Sequence, residues 1–158
     1  MFILDQLHWT SGLVPAADCF AGGTATDVVE CRSAAGVLGI IFEGDSTGGT
    51  TTGTVTVDAC DDVVPTTTTA VTGWFYRSST TFDTWGAWTA VASAAGFVMP
   101  TGDNQMHQIW IPASILAEQG YGYCRIAVAE TVNDPVVACI LLAVVQTRYQ
   151  VDTTTMLT

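Results

Sequence analysis

Residues 44–49, with the sequence GDSTGG, are the part of the chain whose residue types and spacing come closest to a catalytic motif. They place Ser46 in a G-x-S-x-G pattern, which in α/β-hydrolases holds a nucleophilic serine on a tight turn between a strand and a helix. Here a Thr-rich, strand-like segment follows Gly49 instead of a helix. We therefore interpret the motif as a glycine-rich hairpin loop in which Asp45 and Ser46 bond to their own backbone. A hydrolase that uses Ser46 is the minor alternative.

The remaining candidates for catalysis or metal binding are two histidines and a short acidic run. His8 and His107 have no carboxylate or cysteine at the spacing of a base, nucleophile or ligand, so we expect strand or surface histidines. Asp58, Asp61 and Asp62 could offer oxygens to calcium, but they lack the spaced ligands and closing Glu of an EF-hand loop. A solvated strand end is the favoured interpretation. The sequence thus predicts no catalytic residue, no metal ligand and no cofactor.

Five cysteines are spread along the chain without a C-x-x-C pair, namely Cys19, Cys31, Cys60, Cys124 and Cys139. This spacing, with no nearby histidine, argues against a zinc site. The N-terminus lacks the basic start and the long apolar stretch of a signal peptide. We therefore expect synthesis in a reducing cytoplasm, with free and mostly buried thiols.

The charge balance limits the expected partners. The chain has 158 residues and a net charge of -11, from 15 acidic residues against four arginines and no lysine. Such a field repels phosphate, so neither nucleic acid nor a membrane surface is an expected partner. The length predicts a single domain over residues 1–158. We expect an extended N-terminal segment at 1–12 and a polar C-terminal tail at 150–158.

Hydrophobic periodicity predicts strands almost throughout. Residues 50–60 alternate Val55, Val57 and Ala59 with polar side chains, as in a strand with one solvated face. Other predicted strands lie at 36–42, 73–77, 106–111, 121–130 and 136–149, the last two as an antiparallel hairpin, and Pro112 to Gly120 predicts a short helix. The predicted fold is all-β, an antiparallel β-sandwich or jelly-roll-like barrel with one short helix.

Aromatic and arginine side chains are the main candidates for binding a partner. The candidate interface residues are Trp74, Tyr76, Trp85, Trp88, Trp110, Arg77, Arg125 and Arg148. Exposed members of this set could pack across a subunit interface, where Trp, Tyr and Arg are enriched, or stack on sugars. The alternative is an aromatic core, because tryptophans are highly buried on average.

The C-terminal third of the chain resembles small structural proteins of tailed bacteriophage heads. The similarity lies in residues 116–126, LAEQGYGYCRI, followed by a long apolar strand that ends in Arg148 and Tyr149. In that group a short helical turn, a Gly-Tyr-x-Tyr-x-Arg-like strand and a final strand ending near Arg-Tyr follow a front half rich in Thr and Gly. Residues 112–149 carry the match, and residues 54–77 are compatible with it.

The resemblance implies a head decoration, or cement, protein. Such a protein is a β-sandwich or jelly-roll-like module on the capsid exterior, commonly a homotrimer, that binds the major capsid protein and its own copies. It is a virion component and is not an enzyme. The alternatives are a tail or baseplate component and a carbohydrate-binding or adhesin module, in which Trp85, Trp88 and residues 103–107 would line a sugar site.

Overall fold

The computed structural model describes residues 7–50, 52–81 and 83–146. In these ranges the chain forms antiparallel strands and one short helix, which confirms the predicted all-β sandwich. The strands are β1 (Leu7–Ala16), β2 (Thr24–Ala25), β3 (Val29–Glu30), β4 (Ala34–Ser46), β5 (Thr52–Cys60), β6 (Thr68–Ala70), β7 (Trp74–Ser79), β8 (Thr89–Val91), β9 (Phe97–Val98), β10 (Met106–Pro112), β11 (Tyr123–Val132) and β12 (Val136–Gln146). The helix, α1, spans Ala113–Ala117 and lies inside the predicted range.

The strands form two sheets. Sheet A has six strands in the order β1-β12-β4-β10-β7-β8. Sheet B has the order β2-β11-β5-β6, and the short strands β3 and β9 pair with β11 and β5. Every pairing described within the two sheets is antiparallel.

The core lies between the inner faces of the two sheets. Val55 and Val57 of sheet B are fully buried, as the alternation predicted, and so are Ile109 and Ile111 of sheet A. The sheets approach closely at Gly39, where an added Cβ would lie 2.3 Å from Cδ1 of Ile126 in sheet B. Glycine at this position therefore leaves room for a large side chain from the opposite sheet.

Two predicted hairpins are wrong. Strand β4 belongs to sheet A and β5 to sheet B, so residues 44–49 connect the two sheets; β11 and β12 are likewise in different sheets. Strand β12 instead lies between β1 and β4. Its side chains are apolar on both faces, which suits a central strand, whereas the polar outward positions of β11 suit a solvated face.

The sequence did not predict strand β1. Its sequence, LHWTSGLVPA, mixes polar residues with a proline and has no clear period. It forms the edge of sheet A, and an edge strand tolerates proline because one side of its backbone needs no partner. Residues 7–12 of the segment predicted to be extended lie in β1, whereas the predicted tail at 150–158 lies outside the described residues.

Candidate interaction surface

The outward side chains of sheet A form a continuous apolar surface, which we call the sheet A face. Side chains alternate across a strand, so the inward positions identified by the core assign the remaining positions to this face. Its members are Leu7, Trp9 and Ser11 of β1, Val137, Cys139, Leu141, Ala143 and Val145 of β12, Leu38, Ile40 and Phe42 of β4, Met106, Gln108 and Trp110 of β10, and Phe75 and Arg77 of β7.

Strand register aligns these side chains in rows across the sheet. One row comprises the register partners Trp9, Ala143, Leu38, Trp110 and Phe75, taken from five neighbouring strands. Trp9 is 44% exposed and Phe75 is 36% exposed. The row therefore presents large apolar side chains to solvent at Trp9 and Phe75, with Leu38 and Trp110 partly exposed between them.

Glycine at position 36 lets the Trp110 indole lie against the sheet. Gly36 is opposite Pro112, two residues from the pair formed by Leu38 and Trp110 and on the same face of the sheet. A Cβ at Gly36 would lie 2.6 Å from the Trp110 ring and 2.5 Å from the Ile111 carbonyl oxygen. The absent side chain thus gives the indole a fixed place on the sheet A face.

Among the described residues, Arg77 is the only charged member of the sheet A face. Its Cζ atom lies 4.9 Å from the centre of the Trp85 ring and 4.7 Å from that of the Trp88 ring, within the range of cation–π contacts. Its Nε donates a 2.7 Å hydrogen bond to Gln108 Oε1 on the neighbouring strand. The guanidinium is therefore held by two aromatic rings and an amide.

The outer face of sheet B, which we call the sheet B face, has a different composition. Register places Thr54 and Thr56 of β5 opposite small residues of β11, and Asp58 opposite Arg125. The Arg125 Nε donates to Asp58 Oδ2 at 3.1 Å. Hydroxyls, small side chains and an ion pair thus occupy positions equivalent to the Trp, Phe, Leu and Ile of sheet A.

The GDSTGG connection is held by two aspartates from other loops. Backbone N–H and hydroxyl of Ser46 donate to Asp103 Oδ1 at 2.8 and 2.7 Å. The Asp134 carboxylate accepts from the backbone N–H of Gly48 at 2.7 Å and of Thr50 at 2.8 Å. These bonds lower the pKa of both carboxyls because they stabilise the charged form. The largest cause is the backbone N–H of Ser46 for Asp103 and the backbone N–H of Thr50 for Asp134.

This geometry corrects the interpretation of the motif. The predicted bonding of Asp45 and Ser46 to their own backbone is wrong, since Ser46 bonds to Asp103 and Asp45 accepts from the side chain of Asn104. The Ser46 hydroxyl donates to the Asp103 carboxylate. The loop at 44–49 that contains Ser46 connects two sheets, whereas the hydrolase motif connects a strand and a helix.

A buried chain of polar side chains was not predicted. Ser78 Oγ lies 2.8 Å from His107 Nδ1, and His107 Nε2 lies 3.2 Å from Glu43 Oε2. The histidine and glutamate side chains are fully buried. In a serine hydrolase the serine contacts Nε2 of the histidine and the carboxylate contacts Nδ1, which is the reverse of the arrangement in this chain. The three residues come from three strands, so sequence spacing could not bring them together; polar residues at inward-facing strand positions were the available signal.

The buried histidine also bears on the proposed sugar site. His107 and Gln105 have almost no exposed surface, and the Asp103 carboxylate is bonded to Ser46. Within residues 103–107, Gln105 and His107 therefore offer no surface to a sugar, whereas Asp103 and Asn104 are exposed and bonded to Ser46 and Asp45.

The candidate interface residues separate into four locations. Trp74 is fully buried, donates from Nε1 to the Val71 carbonyl at 3.0 Å, and offers no surface to a partner, so its assignment to an interface is corrected to the core. Tyr76 also points inward and stacks on Phe97, with ring centres 3.9 Å apart. Arg77 and Trp110 lie on the sheet A face, and Trp85 and Trp88 flank Arg77. Arg125 lies on the sheet B face, and Arg148 lies outside the described residues.

All five cysteines are free, and four of them are buried. Burial raises the pKa of the Cys60 thiol to about 11. Within the described ranges, no group of three or more His, Cys, Asp or Glu side chains is arranged to hold a metal ion, and no helix is long and apolar enough to cross a membrane.

Comparison with known proteins yields similarities of fold only. No protein-family model and no curated protein sequence matches the chain. The crystal structure of the SPBc2 prophage-derived protein YomS is similar over 87% of this chain and 92% of that chain, with a TM-score of 0.42 and 13% identity. A structure of the infectious bursal disease virus Gx strain covers 89% of this chain and 42% of its own, with a TM-score of 0.25 and 12% identity.

Proposed function

We propose that this protein is a virion structural protein, a head decoration or cement protein that binds the major capsid protein through the sheet A face. The observation that carries the proposal is the composition of that face, which is apolar at nearly every position and has one charge. The resemblance of residues 112–149 to phage head proteins supports the choice of partner. Contiguous exposed apolar surface of this kind is typical of protein interaction sites.

The size of the sheet A face fits a specific interface. The five strands that carry the sheet A face, about 4.8 Å apart and on average roughly nine residues long, at about 3.3 Å per residue, cover about 570 Å² before side-chain relief is counted. Specific interfaces bury about 800 Å² on each partner. The face therefore supplies most of the area that one stable contact requires.

The charge distribution gives this arrangement an orientation. With the sheet A face against the capsid, the sheet B face points away from it, and none of the residues assigned to the contact is acidic. The exposed acidic side chains, which dominate the net charge of -11, then lie outside the contact, where they favour solubility. Copies at symmetry-related positions, associated as a trimer, would multiply many modest contacts across the particle.

The test uses heads of the parent phage assembled without this protein, to which purified protein is added. We expect wild-type protein to co-sediment with these heads and to raise the temperature at which they release DNA. Leu141→Lys places a charge on the sheet A face and should abolish both effects. Its matched control, Thr56→Lys, places the same charge on the sheet B face and should retain both. Heads that bind no wild-type protein would overturn the proposal.

A further inference from the structure

Arg77 differs from the other described arginines in having no carboxylate partner. Arg125 pairs with Asp58 at 3.1 Å, and Arg32 lies 3.8 Å from Glu30. Among the described residues, no carboxylate oxygen lies within 4.0 Å of an Arg77 nitrogen. In a chain with nearly four times as many acidic as basic residues, an unpaired guanidinium on an apolar surface requires an explanation.

The Arg77 side chain is held in place without being neutralised. The indoles of Trp85 and Trp88 contact its guanidinium, and Gln108 accepts from Nε. In the described part of the chain, the two Nη groups have no hydrogen-bond partner. A guanidinium fixed in this way loses little further side-chain entropy when a carboxylate binds its free nitrogens.

Covering the sheet A face would remove water from this charge. An arginine buried without a partner is strongly destabilising, whereas a paired arginine among aromatic side chains is typical of interface hot spots. A partner that binds the face must therefore supply an acceptor for Arg77. A carboxylate is the acceptor whose geometry and charge match the guanidinium.

The required carboxylate also limits what can cover the face. No residue assigned to the sheet A face is acidic, so two copies packed face to face would leave both arginines without a carboxylate from the opposing face. Resting on the proposed function, we infer that the sheet A face binds an apolar surface of the capsid protein that carries one aspartate or glutamate side chain, and that this carboxylate pairs with Arg77.

The experiment measures the affinity of four proteins for heads that lack this protein: wild type, Arg77→Met, Arg77→Glu and Arg125→Met. Met keeps an apolar stem, so Arg77→Met removes the charge with little loss of contact area. We expect at least 10-fold weaker binding for Arg77→Met and at least 100-fold weaker binding for Arg77→Glu, since Glu repels the partner's carboxylate. Arg125→Met removes an arginine from the sheet B face and should bind within twofold of wild type.

The outcomes separate this inference from the proposed function. Wild-type binding with undiminished binding of Arg77→Met would overturn the carboxylate pairing and leave the cement role standing. Absence of wild-type binding would overturn both. Sedimentation of the four proteins without heads tests whether a second copy of this chain covers the sheet A face instead. Self-association that is lost in Arg77→Met but kept in Arg125→Met would show that a second copy supplies the carboxylate. That result would overturn the assignment of the carboxylate to the capsid protein.

Discussion

The two sheets share one core but have opposite outer surfaces. Their inner faces are equivalent, with Val57 and Ile126 of sheet B packed against residues such as Ile109 and Ile140 of sheet A, all fully buried. Outside, sheet B exposes hydroxyls, small side chains and an ion pair, whereas sheet A exposes aromatic and branched aliphatic side chains. The difference shows that the fold needs only the inner faces, so the composition of the sheet A face reflects another requirement.

The order of polar and apolar residues along the strands shows the same difference between the two sheets. Strand β5 alternates polar and apolar residues, as antiparallel strands with one solvated face do. Strands β4 and β12 are apolar on both faces, as strands covered on both sides are, yet in the single chain only their inner side is covered. The second face of sheet A is therefore patterned for burial that the isolated chain does not provide.

The largest expected effect distinguishes the shared core from the sheet A face. Ile126→Ala removes fully buried methyl groups and should lower the free energy of unfolding by about 2–5 kcal/mol, through lost transfer energy and a residual cavity. Leu141→Ala, at a side chain that is 42% exposed, should cost less than about 1 kcal/mol. Urea unfolding measures both. Equal losses would mean that the sheet A face is already covered in the isolated chain.

A second prediction concerns the support of the Trp110 indole. Gly36→Ala introduces a Cβ that would lie 2.5 Å from the Ile111 carbonyl oxygen, so we expect a loss of about 1–3 kcal/mol in unfolding free energy from overpacking. The displaced indole should also increase Trp fluorescence quenching by acrylamide. Gly86→Ala is the control, because its Cβ would meet nothing closer than 3.4 Å. Similar behaviour of the two variants would contradict the described fit of Trp110 over Gly36.

A smaller effect is expected at the ion pair of the sheet B face. Both side chains are partly solvated, so Arg125→Met should lower the free energy of unfolding by no more than about 1 kcal/mol. Thermal unfolding at low and high salt measures the contribution, which should shrink as salt screens the pair. A loss of several kcal/mol would mean that the sheet B face is far less solvated than the structure shows.

The smallest effect is local and depends on pH. The pKa of Asp134 is lowered by hydrogen bonds made in the folded state, so its contribution is complete above the ordinary aspartate value of 3.8 and is lost as pH falls below it. The protection of the Gly48 and Thr50 amides, measured as their exchange relative to the intrinsic rate at each pH, should therefore fall in acid. Asp134→Asn should show fast exchange already at neutral pH, whereas Asp62→Asn should behave as wild type. Unchanged protection in Asp134→Asn would disprove the role of the carboxylate.

The sequence predicted the inner faces well because burial on one side of a strand leaves an alternating pattern, as at Val55 and Val57. It could not distinguish core from outer surface where both faces are apolar, so Trp74 and Trp110 looked equivalent although one is buried and the other lies on the sheet A face. Adjacent strand patterns in the sequence predict hairpins, but β4 and β5, like β11 and β12, lie in different sheets. The chain from Ser78 through His107 to Glu43 joins residues up to 64 positions apart, and only the folded register brings them together.

The central claim, that the sheet A face is the binding surface, is tested most directly by hydroxyl-radical footprinting of the protein free and bound to heads that lack it. Trp9, Phe42 and Leu141 of the sheet A face are 42–44% exposed, and their oxidation should fall several-fold on binding. Val98, which pairs with Thr54 of sheet B and is 62% exposed, should be oxidised equally in both states. Protection of Val98 with unchanged oxidation of Trp9, Phe42 and Leu141 would contradict the account.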